Sequence, residues 1–158
     1  MAKVSIKIEG IEALKKKLIE KKQAVDNVLK TALPELGEKA VTYSKENKGY
    51  QDQTANLKNS ISFAVFFDGK LINTTIGKIP EPDKVKGGQA QVQSALEEYA
   101  SKPGVVAPKG YTIIVVAGMV YGKYVEDKGY NVLYLTKHYL HNGMKDIYQM
   151  IFDLLKEK

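Results

Sequence analysis

Cysteine, arginine and tryptophan are all missing from the 158 residues of this chain. Without cysteine there is no disulfide, no thiolate metal centre and no cysteine nucleophile, and the redox compartment stays open. Without arginine, all 24 basic residues are lysine and the net charge of +6 is carried by ammonium groups alone. Bidentate reading of guanine or phosphate is chiefly arginine chemistry, so what remains is salt-sensitive polyanion contact with little sequence recognition. A solvated lysine-rich surface is the plainer reading of the same charge. Long apolar runs are also missing: no stretch approaches the roughly 20 apolar residues of a spanning helix. The amino end, MAKVSIKIEG, alternates polar and apolar residues where a signal peptide needs a continuous apolar core. The expectation is a soluble protein made inside the cell, and 158 residues at 44% hydrophobic content suit one domain with one core.

What is present has clear punctuation. Val4, Ile6 and Ile8 alternate and predict a short strand over residues 3–8, closed by Gly10. From there the period changes. Ile11, Leu14, Leu18, Val25, Leu29, Ala32 and Leu36 recur at helical spacing, with Lys15, Lys16, Lys17, Lys21 and Lys22 around them. Pro34 predicts a kink or a break into a second helix that carries Leu36, Ala40, Val41 and Tyr43 inward and frays over residues 45–49. Ile61, Phe63, Val65 and Phe67 then alternate with Ser60, Ser62, Ala64 and Phe66. Asp68-Gly69 supplies a tight turn, and residues 71–76 read as the returning strand of a hairpin.

Residues 79–109 read as an insertion, rich in proline and glycine at both ends, with a short helix over residues 89–100 on a mobile excursion. The stretch 111–129, YTIIVVAGMVYGKYVEDKG, is the centre of the reading. Its β-branched first half predicts a buried central strand, and its second half a turn or short helix packed back on the sheet. Residues 131–135 suit a last edge strand, Thr136 suits an N-cap, and Leu140, Met144, Ile147, Ile151 and Leu154 mark a carboxy-terminal helix that Gly143 weakens. The fold class that follows is α+β: an antiparallel sheet of about four strands, packed on one face by the long N-terminal helical segment and the C-terminal helix.

No residues assemble into a recognisable catalytic or cofactor motif. His138 and His141 share a helix face within reach of Asp146 or Glu126, but two ligands without a third at fixed spacing fall short of a metal site. Ser5, Ser44, Ser60, Ser62, Ser94 and Ser101 lack a nucleophile elbow. Gly87-Gly88 has neither dinucleotide nor P-loop surroundings. The adjacent pairs Glu97-Glu98 and Glu126-Asp127 do not converge on one substrate. Glu126 is placed instead to accept backbone or tyrosine hydrogen bonds and pin the turn it sits in. The sequence thus assigns no catalytic residue, no metal ligand and no cofactor.

Two motifs carry a resemblance. The first is Gln53-Thr54-Ala55-Asn56-Leu57-Lys58-Asn59-Ser60-Ile61, of the form D-T-G-x-L-x-x-S-I. The second is Tyr121-Gly122-Lys123-Tyr124-Val125-Glu126-Asp127-Lys128-Gly129, of the form Y-A-x-Y-V-E-x-G. With the element order, they resemble the siphophage minor tail components, the tail-completion and head-tail joining neck proteins of lambda-like phages. This chain departs from the pattern at Ala55, at the extra residue Lys128, in lacking a tail with arginine and proline, and in the insertion.

The resemblance implies a structural virion protein of a phage or prophage and no enzyme. It would be made in the bacterial host cytoplasm and assembled at the neck, as a ring of copies meeting connector, tail-tube or tail-terminator proteins. Thr54 and Asn56 are expected to shape the loop before the strand, Leu57 and Ile61 to anchor it, and Tyr121, Tyr124 and Val125 to dock the turn after the central strand. Ser60, Gly122, Glu126 and Gly129 complete the structural motif positions. The partner surface is expected on Lys15, Lys16, Lys17, Lys21 and Lys22, with the insertion as a contact arm. The alternative is a basic α/β module binding nucleic acid, which finds no aromatic strand signature and no GXXG clamp here.

Overall fold

The computed structural model describes residues 9–51, 56–76 and 88–156. The strand expected over residues 3–8 and the loop residue Thr54 lie outside these. In chain order the elements are α1 (Ile11–Glu46), α2 (Asn56–Asn59), β1 (Ile61–Phe67), β2 (Lys70–Thr74), α3 (Gly88–Ala100), β3 (Tyr111–Ala117), α4 (Gly122–Asp127) and α5 (Tyr134–Lys156). The class is α+β, with an antiparallel sheet of three strands among the described residues where the sequence suggests about four.

The hairpin forms as its residues require. Asp68 and Gly69 both take positive φ, 48° and 78°, which matches the twist of the two flanking strands. Asp68 also holds the start of β3, because its carboxylate Oδ1 accepts the Gly110 N–H at 2.7 Å while its own N–H donates to the Gly110 carbonyl at 2.9 Å. One carboxylate therefore fixes the turn and sets the register of the third strand.

Sheet order is β2-β1-β3, which differs from the expectation of a central 111–117 strand: among the described residues β1 is central and β3 lies at an edge. The physical reason is that β1 is apolar on both faces. Ile61, Phe63 and Val65 pack with Leu33, Leu36, Val41 and Ile147 on the side of α1 and α5. Ala64 and Phe66 pack on the other side with Ile114, Val116 and, from α3, Val92 and Leu96. The helix of the insertion is thus a lid on the second face of the sheet, not a free excursion.

Helix α1 is a single element of 36 residues that runs through Pro34. A proline there forfeits a hydrogen bond and crowds the preceding turn, a cost of about 3 kcal/mol. Leu33, Leu36, Gly37, Ala40 and Val41 are all buried around it, and burial of a few such side chains at roughly 1.5–3 kcal/mol each outweighs that cost. Helix α1 approaches β1 closely at one glycine and α5 at another. A Cβ on Gly37 would overlap the Phe63 ring, and one on Gly143 would overlap the Leu36 side chain. Gly143 lowers the intrinsic propensity of α5 and, in exchange, opens the notch that Leu36 fills.

Residues 131–133 do not form the expected edge strand. They are the approach to α5, and Thr136 stands inside that helix, 1% exposed, instead of capping it. The capping is done by residues from elsewhere.

Candidate functional site

The two motif segments meet in space. Leu57, buried in α2, lies against Gly122 of α4, where an added Cβ would sit 3.1 Å from Leu57 Cδ1. Asn56 accepts the Ser60 N–H through its carbonyl, Ser60 Oγ donates to the Leu57 carbonyl at 2.8 Å, and the Ser60 carbonyl receives the Gly118 N–H at 3.1 Å. Ile61 pairs with Ala117 one step along. Leu57, Ser60, Ile61 and Gly122 therefore form one joint between the start of β1 and the end of β3. Val125 is half-buried and accepts the Tyr130 N–H, and Gly129 closes α4 with a φ of 84°.

Glu126 is the hub of this end of the molecule. Its carboxylate accepts the N–H groups of Val132 at 2.9 Å, Leu133 at 2.7 Å and Tyr134 at 3.1 Å. Asn131 Oδ1 accepts the next, from Leu135, at 2.9 Å. The first turn of α5 presents N–H groups with no partner inside the helix, and a carboxylate there also meets the positive end of its dipole. Asn131 Nδ2 donates to the Asn47 carbonyl, and Ser44 Oγ, fully buried, donates to the Val132 carbonyl at 2.6 Å. Both contacts tie the start of α5 to the end of α1. Glu126 accepts backbone hydrogen bonds, as its sequence position suggests, and those bonds occupy it structurally.

The tyrosines of the second motif are elsewhere than expected. Tyr121 is 39% exposed and Tyr124 64% exposed, so neither docks the turn. In a six-residue helix the inward positions go to Gly122 and Val125, which turns Tyr121 and Tyr124 to solvent. The ammonium of Lys128 lies over the Tyr124 ring.

The lysine cluster occupies the first turns of α1, where every residue from 11 to 20 is exposed. Lys15 pairs with Glu12, and Lys21 Nζ donates to the Leu154 carbonyl at 3.0 Å, at the negative end of α5. Lys16, Lys17 and Lys22 carry no ion pair among the described residues. The apolar stripe of α1 continues through this segment uncovered, with Leu14 and Leu18 about three-fifths exposed and Ile11 and Ile19 close behind. Near the far end of α5, Phe152 and Leu155 are exposed as well.

A groove of about 790 Å³ runs beside β3. Ile113 and Val115 of β3 line it with Leu140 and Met144 of α5; Lys137, His138 and His141 stand at its rim, and Tyr99 reaches it from α3. The histidines come together here, but Glu126 is engaged at the cap and Asp146 lines a groove on the α1 side of α5. No group of three metal-ligating residues occurs among the described residues. Glu97 pairs with Gln93 and Glu98 with Lys102, both on the surface of α3. Burial pushes the Lys45 ammonium below its ordinary range, with Lys58 adding repulsion, and at the opposite end of the sheet burial beside Asp26 and Asp68 raises the Tyr111 hydroxyl.

Sequence reasoning missed the groove, because its residues come from three separate segments. The available signal was local to α5, where Leu140 and Met144 stand four apart beside His141. No family model matches the chain, and no curated protein or solved structure matches it either.

Proposed function

We propose that the chain is a structural protein of a phage or prophage virion, placed at the neck between head and tail. It joins the two or completes the tail through protein-protein assembly, and it performs no catalysis. The observation that carries this reading is the uncovered first half of α1, where Ile11, Leu14, Leu18 and Ile19 stand exposed among lysines. A contiguous apolar surface of this kind marks an interaction site. The magnitudes favour a protein over a nucleic acid: covering the exposed half of four aliphatic side chains is worth roughly 3–6 kcal/mol before the cost of association, whereas exposed lysine pairs contribute about 0–1 kcal/mol each. The two motif segments fit the same reading, since Leu57, Ser60, Gly122 and Glu126 hold the frame that presents α1.

The test is a pull-down of the tagged chain from a lysate in which its own phage or prophage is induced, with mass spectrometry of what is retained at moderate salt. Recovery of connector, tail-tube or tail-terminator proteins is the expected result. Recovery of nucleic acid alone, lost as salt rises, replaces this reading with the basic nucleic-acid-binding module, which the lysines of α1 would serve.

A further inference from the structure

We infer that the outer edge of β3 is a strand-acceptor site, taking an extended segment of a partner protein whose apolar residues alternate and whose flanks are acidic. The inference rests on the assembly reading for its partner being a protein, and it adds a second contact with a defined chemistry.

The backbone register supplies the first step. Gly118 N–H donates to the Ser60 carbonyl, and in an antiparallel pair such bonded positions recur at every second residue. Ser62 with Val116, Ala64 with Ile114 and Phe66 with Thr112 therefore exchange bonds across the β1–β3 ladder. Ile113 and Val115 direct their N–H and C=O groups the other way, to an edge with which no described residue pairs. An edge whose donors and acceptors meet no strand among the described residues is a template for another strand.

The second step is the groove, because the residues with the outward backbone also line it. Ile113 and Val115 turn their side chains toward α5, while Ile114 and Val116 turn theirs toward α3. With Tyr99 on one side of the sheet and α5 on the other, the edge is bracketed and a strand laid along it finds apolar cover for alternate side chains. Thr136 lines the same groove, 1% exposed, and among the described residues its hydroxyl has no partner.

Charge selects the occupant. The rim offers Lys137, His138 and His141, all exposed, and among the described residues no carboxylate lines the groove. A second copy of this chain bound through the same edge would bring two lysine-bearing rims into one interface, with no carboxylate of either groove lining to meet them. An incoming segment with Asp or Glu flanking its apolar residues meets complementary groups.

The test is selection of roughly nine-residue random peptides, enough to span β3 at about 3.4 Å per residue, displayed on particles and panned against the purified full chain. The expected consensus has apolar residues at every second position and acidic residues at its ends. Val115→Pro removes an outward N–H and leaves the bonds to β1 in place, and it is expected to cut capture about tenfold. Lys137→Glu with His141→Glu changes only exposed residues, and it is expected to convert the acidic preference to a basic one even where the proline variant fails to fold. Apolar residues three and four apart, a consensus unmoved by the charge reversal, self-association through β3, or no enrichment would each overturn the inference. Neck proteins retained by a folded Val115→Pro chain overturn the edge and leave the assembly reading standing. An alternating acidic consensus with no neck protein in the pull-down does the reverse.

Discussion

The two halves of α1 have nearly the same pattern and opposite surroundings. In the second half Leu33, Leu36, Ala40 and Val41 are buried, between the sheet and α5. In the first half Ile11, Leu14 and Leu18 continue the helical spacing, and every residue to Glu20 is exposed. The difference comes from what lies opposite. Lys21 reaches the Leu154 carbonyl, so the last turn of α5 lies alongside this part of α1, and among the described residues the turns before it stand exposed. A helical stripe in a sequence announces that something covers it, without saying whether that something belongs to the same chain.

The strongest way to break this comparison is a truncation at each end. Phe63→Ala empties the space between β1 and Gly37, and a loss of about 3–5 kcal/mol is expected. Leu14→Ala, with its side chain in water, should fall within about 0.5 kcal/mol of the parent. Urea unfolding of both variants checks this, and comparable losses would mean that the first half of α1 is covered after all. Glu126→Ala sharpens the comparison at the packed end. It leaves three N–H groups at the entry to α5, those of Val132, Leu133 and Tyr134, without their acceptor, and a loss of about 1–3 kcal/mol is expected for a charged partner of this kind. Faster amide exchange at Val132 and Leu133, with Leu154 unaffected, is the specific sign; uniform loss of protection would point to general unfolding instead.

Tyr124→Ala comes next in size. The side chain is exposed and its one close partner is the Lys128 ammonium, so the change should cost less than about 1 kcal/mol. Spacing in the sequence suggested a docked tyrosine there, and a loss of several kcal/mol in a melting experiment would restore that view. The expectation failed for a reason that spacing cannot supply. A turn as short as α4 has room for two inward positions, and Gly122 and Val125 hold them.

Other parts of the fold were legible because their signals are local. Asp68-Gly69 between two alternating runs could only be a hairpin turn, and the line through Leu140, Met144, Ile147 and Leu154 defined α5. What escaped depended on distant partners. Pro34 reads as a break until the burial of Leu33 and Leu36 is known. The β-branched run of β3 reads as central, yet Ile114 and Val116 owe their burial to a helix in the insertion. Of the site, the lysines and Glu126 stood out as residues; that Glu126 caps α5, and that Ile113 and Val115 share a groove with His141, required the chain to be folded.

The smallest effect in the comparison belongs to two lysines, one in each half. Burial holds the Lys45 ammonium below its ordinary range, with Lys58 nearby, so the unfolded chain binds that proton more tightly than the folded one. The folded state is penalised while Lys45 must be charged. That penalty is complete at neutral pH and fades as pH rises through the depressed folded value toward the ordinary lysine range near 10.4. Lys45→Met keeps the apolar stem and removes the charge, so at neutral pH it should raise the melting temperature, by no more than about 4 °C for a chain of this size. Lys22→Met, exposed in the bare half, should leave it unchanged. The gap between the two variants should close in alkaline buffer, where Lys45 sheds its proton in the parent as well. A fall on Lys45→Met would show that the ammonium has a partner whose contribution exceeds the cost of burying it, and the packed end would then be held by charge as well as by its apolar contacts.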